Sequence, residues 1–369
     1  MQPISAVDAV SPAIERTKQF LFRPFKWSTF LKLGLVAMIT EGIGRNFRSS
    51  TSHESHRVGD GSGAISPFRM PGYMVGQGPI HMTVGDWPFH LSPQSVVVIA
   101  AAVLLAFMIA IFVFYLVTRL RFAYFNCLIH NTKEIGPGWR LYSEQASRFF
   151  WLNIVVGICF MLLLIAVALP FAAGFWRVFH ESQQAGHFDV WLFLPLVLPL
   201  IPVVILLALA GFLTDLILRD LMMPHFALDN ATAGEAWRQV RARIKAEQRQ
   251  FLVYAILRII LPAVASIGLF IVMLLPGLML AGSLAAVEWG MHSMIANATG
   301  ASWMVGVALE AFFGVVAFGF ALLAGICLGG PLSTGIREYA LIFYGGRYKA
   351  LGDILYPLQA YVGGAIGSV

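Results

Sequence analysis

The sequence predicts an all-α, polytopic integral membrane protein with about six transmembrane helices and amphipathic helices at the membrane surface. Its 369 residues are 58% hydrophobic and only 12% charged, with a mean hydropathy of +0.76. A soluble domain carries about a quarter charged residues. Six apolar runs approach or exceed the length that crosses a hydrocarbon layer of about 30 Å. Basic residues gather in alternate connections between these runs, as they do in multi-pass membrane proteins.

The N-terminal segment, residues 1–27, is predicted to form an amphipathic helix over residues 3–22 and then an elbow at Arg23–Trp27. Ser11 and Pro12 are a candidate N-cap and first helical position. One side of the predicted helix is apolar, and its members are Ile4, Val7, Val10, Ile14 and Leu21.

The membrane domain is predicted to occupy residues 28–369. Its six spans are expected near residues 28–44, 95–118, 151–176, 191–218, 251–275 and 303–328. The first span is the shortest and contains Lys32. Residues 45–94 are rich in Gly, Ser, Pro and His without sustained periodicity, which predicts a long outer loop. Residues 331–369 are expected to form a C-terminal cytoplasmic segment.

Two connections are predicted to contain cytoplasmic amphipathic helices, at about residues 136–149 and 232–250. Thr232 and Glu235 form a capping-box pattern that places the start of the second helix. Trp237 belongs to an apolar stripe with Ala233, Ala236, Val240 and Ile244. The opposite face is basic and consists of Arg238, Arg241, Lys245 and Arg249. A cationic amphipathic helix next to an apolar span is typical of a helix that lies in the headgroup region. A solvated loop helix is the alternative.

A faint internal repeat connects these two helices. Asn131 precedes Trp139-Arg140 by eight residues, and Asp229 precedes Trp237-Arg238 by the same interval. The repeat predicts three units, each a short basic helix followed by a transmembrane hairpin, with chance spacing as the alternative. Lys and Arg are concentrated in the N-terminal segment, the second and fourth connections and the C-terminal segment. This bias predicts an inner-membrane protein with both termini in the cytoplasm.

The pattern resembles the bacterial six-helix membrane domains that occur alone or fused to some glycerophosphodiester phosphodiesterases. The residues that carry the resemblance are Ala13–Arg16, Leu21–Phe25 and Pro224–Trp237. The resemblance implies the architecture and little about function. In those phosphodiesterases catalysis belongs to a separate barrel domain, and no polar stretch of this chain is long enough to form one.

Ionisable residues within predicted spans are the candidate functional residues, because each costs about 2.5 kcal/mol or more at the membrane centre. They are Lys32, Asp215, Arg258 and Glu310. Asp215 and Arg258 lie at similar expected depths, so the sequence predicts that they pair. Coupling of protons or ions is one interpretation of these residues, and a structural pair between helices is the other.

Metal binding has only weak candidates, His53 and His56 in the predicted outer loop. They flank Glu54, one residue short of the helical zinc-protease spacing that places two histidines on one face. Solvated loop histidines are the alternative. We therefore expect no metal site and no cofactor.

These observations favour a non-enzymatic membrane protein, a lipid-interacting or partner-organising subunit of a membrane assembly. Its expected partners are anionic membrane lipids, with a protein partner or a second copy of the chain and no nucleic acid. The alternative is a transporter or channel with a mid-membrane polar site, favoured by possible helix breaks at several prolines. A metal-dependent enzyme on the outer face is a third hypothesis.

Overall fold

The structure is a computed structural model that describes residues 4–42, 93–185, 190–295 and 301–356. The α-helices in chain order are α1 (Val10–Phe22), α2 (Trp27–Ala37), α3 (Pro93–His130), α4 (Ile135–Leu141), α5 (Ser143–Ala185), α6 (Leu194–Leu216), α7 (Met223–Leu228), α8 (Ala233–Ala246), α9 (Gln248–Ile295), α10 (Ala301–Gly345) and α11 (Lys349–Leu355). Two π-helical turns follow α2 and α6, at Met38–Gly42 and Ile217–Met222, and a 3₁₀ turn at Val190–Phe193 precedes α6.

The protein is an all-α membrane protein. Within the described ranges, five stretches are long and apolar enough to cross a membrane: Val96–His130, Ser143–Ser182, Leu194–Leu228, Gln248–Leu275 and Met304–Gly345. The first predicted span, residues 28–44, corresponds to α2 and the π turn after it, a helical stretch of 16 residues. Its last two residues lie outside the described part of the chain, as does nearly all of the predicted outer loop.

The buried core lies at one end of the long helices, which we call the core end. This is the end of α3 near His130, of α5 near Ser143, of α7 near Leu228, of α9 near Gln248 and of α10 near Gly345. Most of its large, fully buried side chains are aromatic: Phe20, Phe122, Tyr124, Phe125, Phe149, Phe226, Tyr254, Tyr339, Phe343 and Tyr344. The predicted spans stopped too early here, because the helices continue beyond their apolar runs to build this core. Residues 331–345, for example, belong to α10.

The internal repeat is visible in how the helices end. Asn131 and Asn230 both have positive φ, 51° and 49°, the left-handed conformation that often terminates a helix. The amide of the residue after each asparagine donates to a helix carbonyl, Thr132 to Cys127 O at 3.0 Å and Ala231 to His225 O at 3.2 Å. A short helix follows in both places.

These short helices differ in extent from the sequence prediction. The predicted helix at residues 136–149 is divided between α4 and the first turns of α5, with a break at Tyr142. The predicted helix at 232–250 is α8, after which α9 begins at Gln248. Helix α10 is likewise followed by a short helix, α11, so the same succession occurs three times along the chain.

The N-terminal helix begins at Val10, with a turn before it instead of a Ser11 N-cap. Ser5 and Asp8 hydrogen-bond to each other in this turn. The predicted apolar face is buried only in part: Leu21 is buried and Ile4 and Val10 pack against the core, whereas Val7 and Ile14 are each 62% exposed. The buried face contains Ala6, Ala9, Ala13, Thr17 and Phe20, whose small members allow close approach to α10.

Helix α2 also packs against α10, through two glycines. A Cβ built on Gly330 would lie 2.6 Å from the Cα of Gly34, a separation that real atoms do not reach. Position 330 therefore requires glycine, and a Cβ at position 34 would be tight against Ile326 at 3.2 Å; small residues at such contacts are a common way to join helices in membranes. The N-terminal helices are therefore attached to the last long helix of the chain.

The prolines do not break the long helices as the sequence suggested. Helix α5 continues through Pro170, α6 through Pro199 and Pro202, and α9 through Pro262 and Pro276. Pro195 lies in the first turn of α6, where proline is well tolerated.

Candidate functional site

Seven charged side chains meet at the core end and form what we call the charged cluster. It comprises Glu41, Arg121, Asp215, Arg219, Asp220, Arg258 and Arg337. They come from the π turns after α2 and α6, and from α3, α6, α9 and α10. Four cations face three carboxylates, so the cluster carries one surplus positive charge if all seven are ionised.

Asp220 is the centre of this cluster, and 2% of its surface is exposed. Arg258 binds both of its carboxylate oxygens, with Nε 2.8 Å from Oδ2 and Nη2 3.1 Å from Oδ1. Arg337 donates to Oδ1 at 2.9 Å, and the Tyr254 hydroxyl donates to Oδ2 at 2.8 Å. A buried carboxylate with two arginines and a hydroxyl group has its hydrogen-bonding capacity satisfied.

The predicted Asp215–Arg258 pair is wrong. Asp215 pairs with Arg219 one turn later on the chain, with an N–O distance of 2.7 Å, and Arg258 pairs with Asp220. The prediction compared the depths of the side chains in the membrane as if the helices were regular. Asp220 lies in the π turn at Ile217–Met222, which alters the direction in which its residues point compared with a regular α-helix.

Both π turns supply the cluster with a carboxylate and a backbone acceptor. Glu41 lies in the first π turn, and Arg219 and Asp220 lie in the second. Arg121 donates to the carbonyl of Thr40 at 3.0 Å, and Arg337 donates to the carbonyl of Arg219 at 2.9 Å. The buried arginines thus bind the irregular backbone as well as the acidic side chains.

A small cavity of about 60 Å³ opens beside the cluster. Glu41, Asp215, Arg219, Arg258 and Ser333 are among the residues that line it. Oε1 of Glu41 is buried and accepts no hydrogen bond from the described residues; Arg337 Nε lies 3.9 Å from it, and Arg258 Nη2 lies 3.9 Å from Oε2. Charged side chains line this cavity, which is large enough for one or a few water molecules.

The other two predicted intramembrane charges are not members of the charged cluster. Lys32 is exposed on α2. Glu310 is half-buried near the start of α10, whereas the cluster residue Arg337 is near its other end.

Helix α8 begins as predicted, with both halves of the capping box formed between Thr232 and Glu235. The hydrogen bonds from Thr232, its backbone N–H first, lower the pKa of the Glu235 carboxyl. Arg238, Arg241, Lys245 and Arg249 are exposed, as is 45% of Trp237.

The other side of α8 is held on the core. Ala236 and Val240 are fully buried. Arg243 lies over the ring of Tyr348 at 5.1 Å and donates to His225 Nε2 at 3.0 Å. Most of the predicted apolar stripe therefore contacts protein, and Trp237 is its exposed member.

Trp139, the counterpart of Trp237 in α4, is half-buried beneath a cation. The Arg119 guanidinium lies 4.7 Å from the centre of its ring, and Arg119 Nε donates to the carbonyl of Trp139 at 3.3 Å. This arrangement ties α4 to α3.

The weak metal candidates His53 and His56 lie outside the described residues. Within the part of the chain that is described, no three His, Cys, Asp or Glu side chains come together as metal ligands.

The sequence prediction missed five members of the cluster as site residues: Glu41, Arg121, Arg219, Asp220 and Arg337. The arginines were assigned to the connections, and Glu41 was expected to reach water. One sequence signal was available: when Trp139 is aligned with Trp237, as the repeat requires, Arg121 corresponds to Arg219, and both arginines belong to the cluster.

We expect Asp220→Asn to destabilise the protein by about 3–5 kcal/mol, because it leaves Arg258 and Arg337 buried without their shared carboxylate. The matched control is Glu144→Gln, which removes a carboxylate from the exposed Arg148–Glu144 pair and should cost at most about 1 kcal/mol. The free energy of unfolding is measured by titrating the purified protein with a denaturing detergent. Equal losses in the two variants would contradict the central role of Asp220.

Comparison with known proteins identifies a family. The model of a family of unknown function, DUF7544, matches residues 4–354. No curated protein and no solved structure matches the chain. The match covers nearly the whole sequence, and the chain belongs to this family.

Proposed function

We propose that this member of the DUF7544 family is a non-enzymatic, multi-pass membrane protein that acts as a lipid-interacting or partner-organising subunit of a membrane assembly. The observation that carries the proposal is the unequal packing of the long helices. In the most apolar 18-residue windows of α5, α6, α9 and α10, at most 6% of the residues are buried within the chain. Their core ends, in contrast, are tightly packed.

Exposed apolar helix surface is satisfied by lipid tails or by other helices. Leu162 of α5, Phe270 of α9 and Phe318 of α10 are 61%, 65% and 70% exposed. A protein whose helices are joined at one end and open at the other can receive lipids or partner helices between them. The resemblance to the six-helix domains of some phosphodiesterases supports this proposal, because in those proteins the membrane domain accompanies a separate catalytic domain.

Helix α8 supports an interaction with anionic lipid. Trp237 lines an apolar groove of about 240 Å³ together with Leu152 and Val156 of α5 and Thr214 of α6. This puts the tryptophan beside the first apolar residues of a spanning helix, which is the usual level of tryptophan in a bilayer. The exposed cations of α8 are then close to the headgroups, where each is worth about 1 kcal/mol on an anionic surface.

A photo-crosslinking amino acid at Leu162, Phe270 or Phe318 tests this function. We expect adducts with lipid, or repeated adducts with one protein of defined mass at positions along one helix face. The reason is that these side chains are exposed on the isolated protein. Lys349, exposed at the start of α11, is the control and should give neither adduct. Crosslinks that join these three helices to one another would contradict the proposal, since the apolar halves would then pack within the chain.

For the localisation we propose the bacterial inner membrane, with the core end and both termini in the cytoplasm. The exposed cations of α8, all at the core end, support this orientation by the positive-inside rule. In a variant without Cys127, Cys159 and Cys327, an impermeant thiol reagent should label Ser62→Cys in intact cells. Lys245→Cys should be labelled only after the cells are opened. Labelling of Lys245→Cys in intact cells would reverse the orientation.

The second candidate function is a proton-coupled transporter, and it is favoured by the Glu41 oxygen that accepts no hydrogen bond from the described residues, on a side chain that lines the small cavity. If Glu41 exchanges protons during transport, vesicles with the reconstituted protein should show a proton flux that Glu41→Gln abolishes and Glu144→Gln leaves unchanged. A flux that is absent from the unmodified protein, or equal in both variants, would eliminate this candidate.

A further inference from the structure

The outward face of α1 combines apolar side chains with a cation. Ile14 and Phe22 are 62% and 44% exposed, and Lys18 lies on the same face between them and is also exposed. The adjoining face, with Ala13 and Thr17, packs on α10. Apolar side chains this exposed are expected to face lipid or a partner.

A groove of about 320 Å³ runs between α1, α9 and α10. Leu261 and Ala265 of α9 and Leu332 of α10 form part of its apolar wall. Its volume falls at the lower end of the range of small-molecule sites. The α9 wall is continuous with exposed apolar residues of the same helix, among them Ile260 and Val264 at 46% and 61% exposure. The groove therefore opens towards the region that hydrocarbon chains occupy.

The charged residues that line the groove are both cations. Among the residues that line it, the ionised groups are those of Lys18 and Arg258, and no carboxylate is present. Arg258 is already bound to Asp220 and donates to the carbonyl of Ile336 at 3.1 Å. Lys18 is the cation that is available at the rim.

We propose that this groove binds one acyl chain of an acidic phospholipid, with the lipid phosphate held by Lys18. The inference rests on the proposed membrane function and names the lipid class and the site. An acidic phospholipid fits because the apolar walls can contact its acyl chain and the single cation at the rim can bind its phosphate. A zwitterionic lipid would present its own cation to Lys18 as well as its phosphate.

The purified full-length protein in a mild detergent is titrated with phosphatidylglycerol and, separately, with phosphatidylcholine, and bound lipid is counted by native mass spectrometry. We expect one tightly bound phosphatidylglycerol molecule and weaker binding of phosphatidylcholine. Lys18→Gln should weaken phosphatidylglycerol binding about fivefold, the effect of one cation near an anionic headgroup. Lys26→Gln, which changes an exposed cation that does not line the groove, should leave binding unchanged.

Ala265→Trp fills the groove and should abolish the bound lipid. Ala263→Trp makes the same substitution two residues earlier, at an exposed position outside the groove, and should retain it. Equal affinity for the two lipids, equal losses in the two tryptophan variants, or a protein segment found in the groove would overturn the site. Loss of the site while Leu162 and Phe270 still give their adducts would remove this inference alone and leave the proposed function standing.

Discussion

The burial of Asp220 between Arg258 and Arg337 is the interaction on which the rest of the structure depends. Removing charges from water costs several kcal/mol for each ion, and the contacts offset this cost only where the geometry is close. Asp220 comes from the π turn after α6, and its partners come from α9 and α10. The requirement to bring these charges together therefore sets the register of three helices. Arg121 and Arg337 extend the constraint to the two π turns through backbone carbonyls.

Much of the architecture could be predicted from the sequence, because long apolar runs have few alternatives to a membrane helix. Thr232 and Glu235 placed the start of α8 for an equally local reason. The site could be predicted only in part: Asp215 and Arg258 belong to it, but their partners depend on a π turn that leaves no clear trace in the sequence. The apolar side predicted for α1 is only partly the buried side, for a related reason. Ala6, Ala13 and Thr17 are buried because they are small enough to approach α10, and hydrophobicity alone favours Val7 and Ile14 instead.

The close approach of Gly34 to Gly330 has a consequence for biosynthesis. The N-terminal helices meet their partner only when almost the entire chain has been made, and further contacts span similar distances, such as Arg347 to the carbonyl of Ile4 and Tyr339 to that of Ala6. Translation at about 5–20 residues per second separates the two glycines by roughly 15–60 s. During that interval the glycine surface of α2 is open to lipid, insertion machinery or chaperones. The last long helix thus completes the packing of the first segment, and a ribosome that stalls before α10 leaves a chain whose N-terminal helices lack this partner.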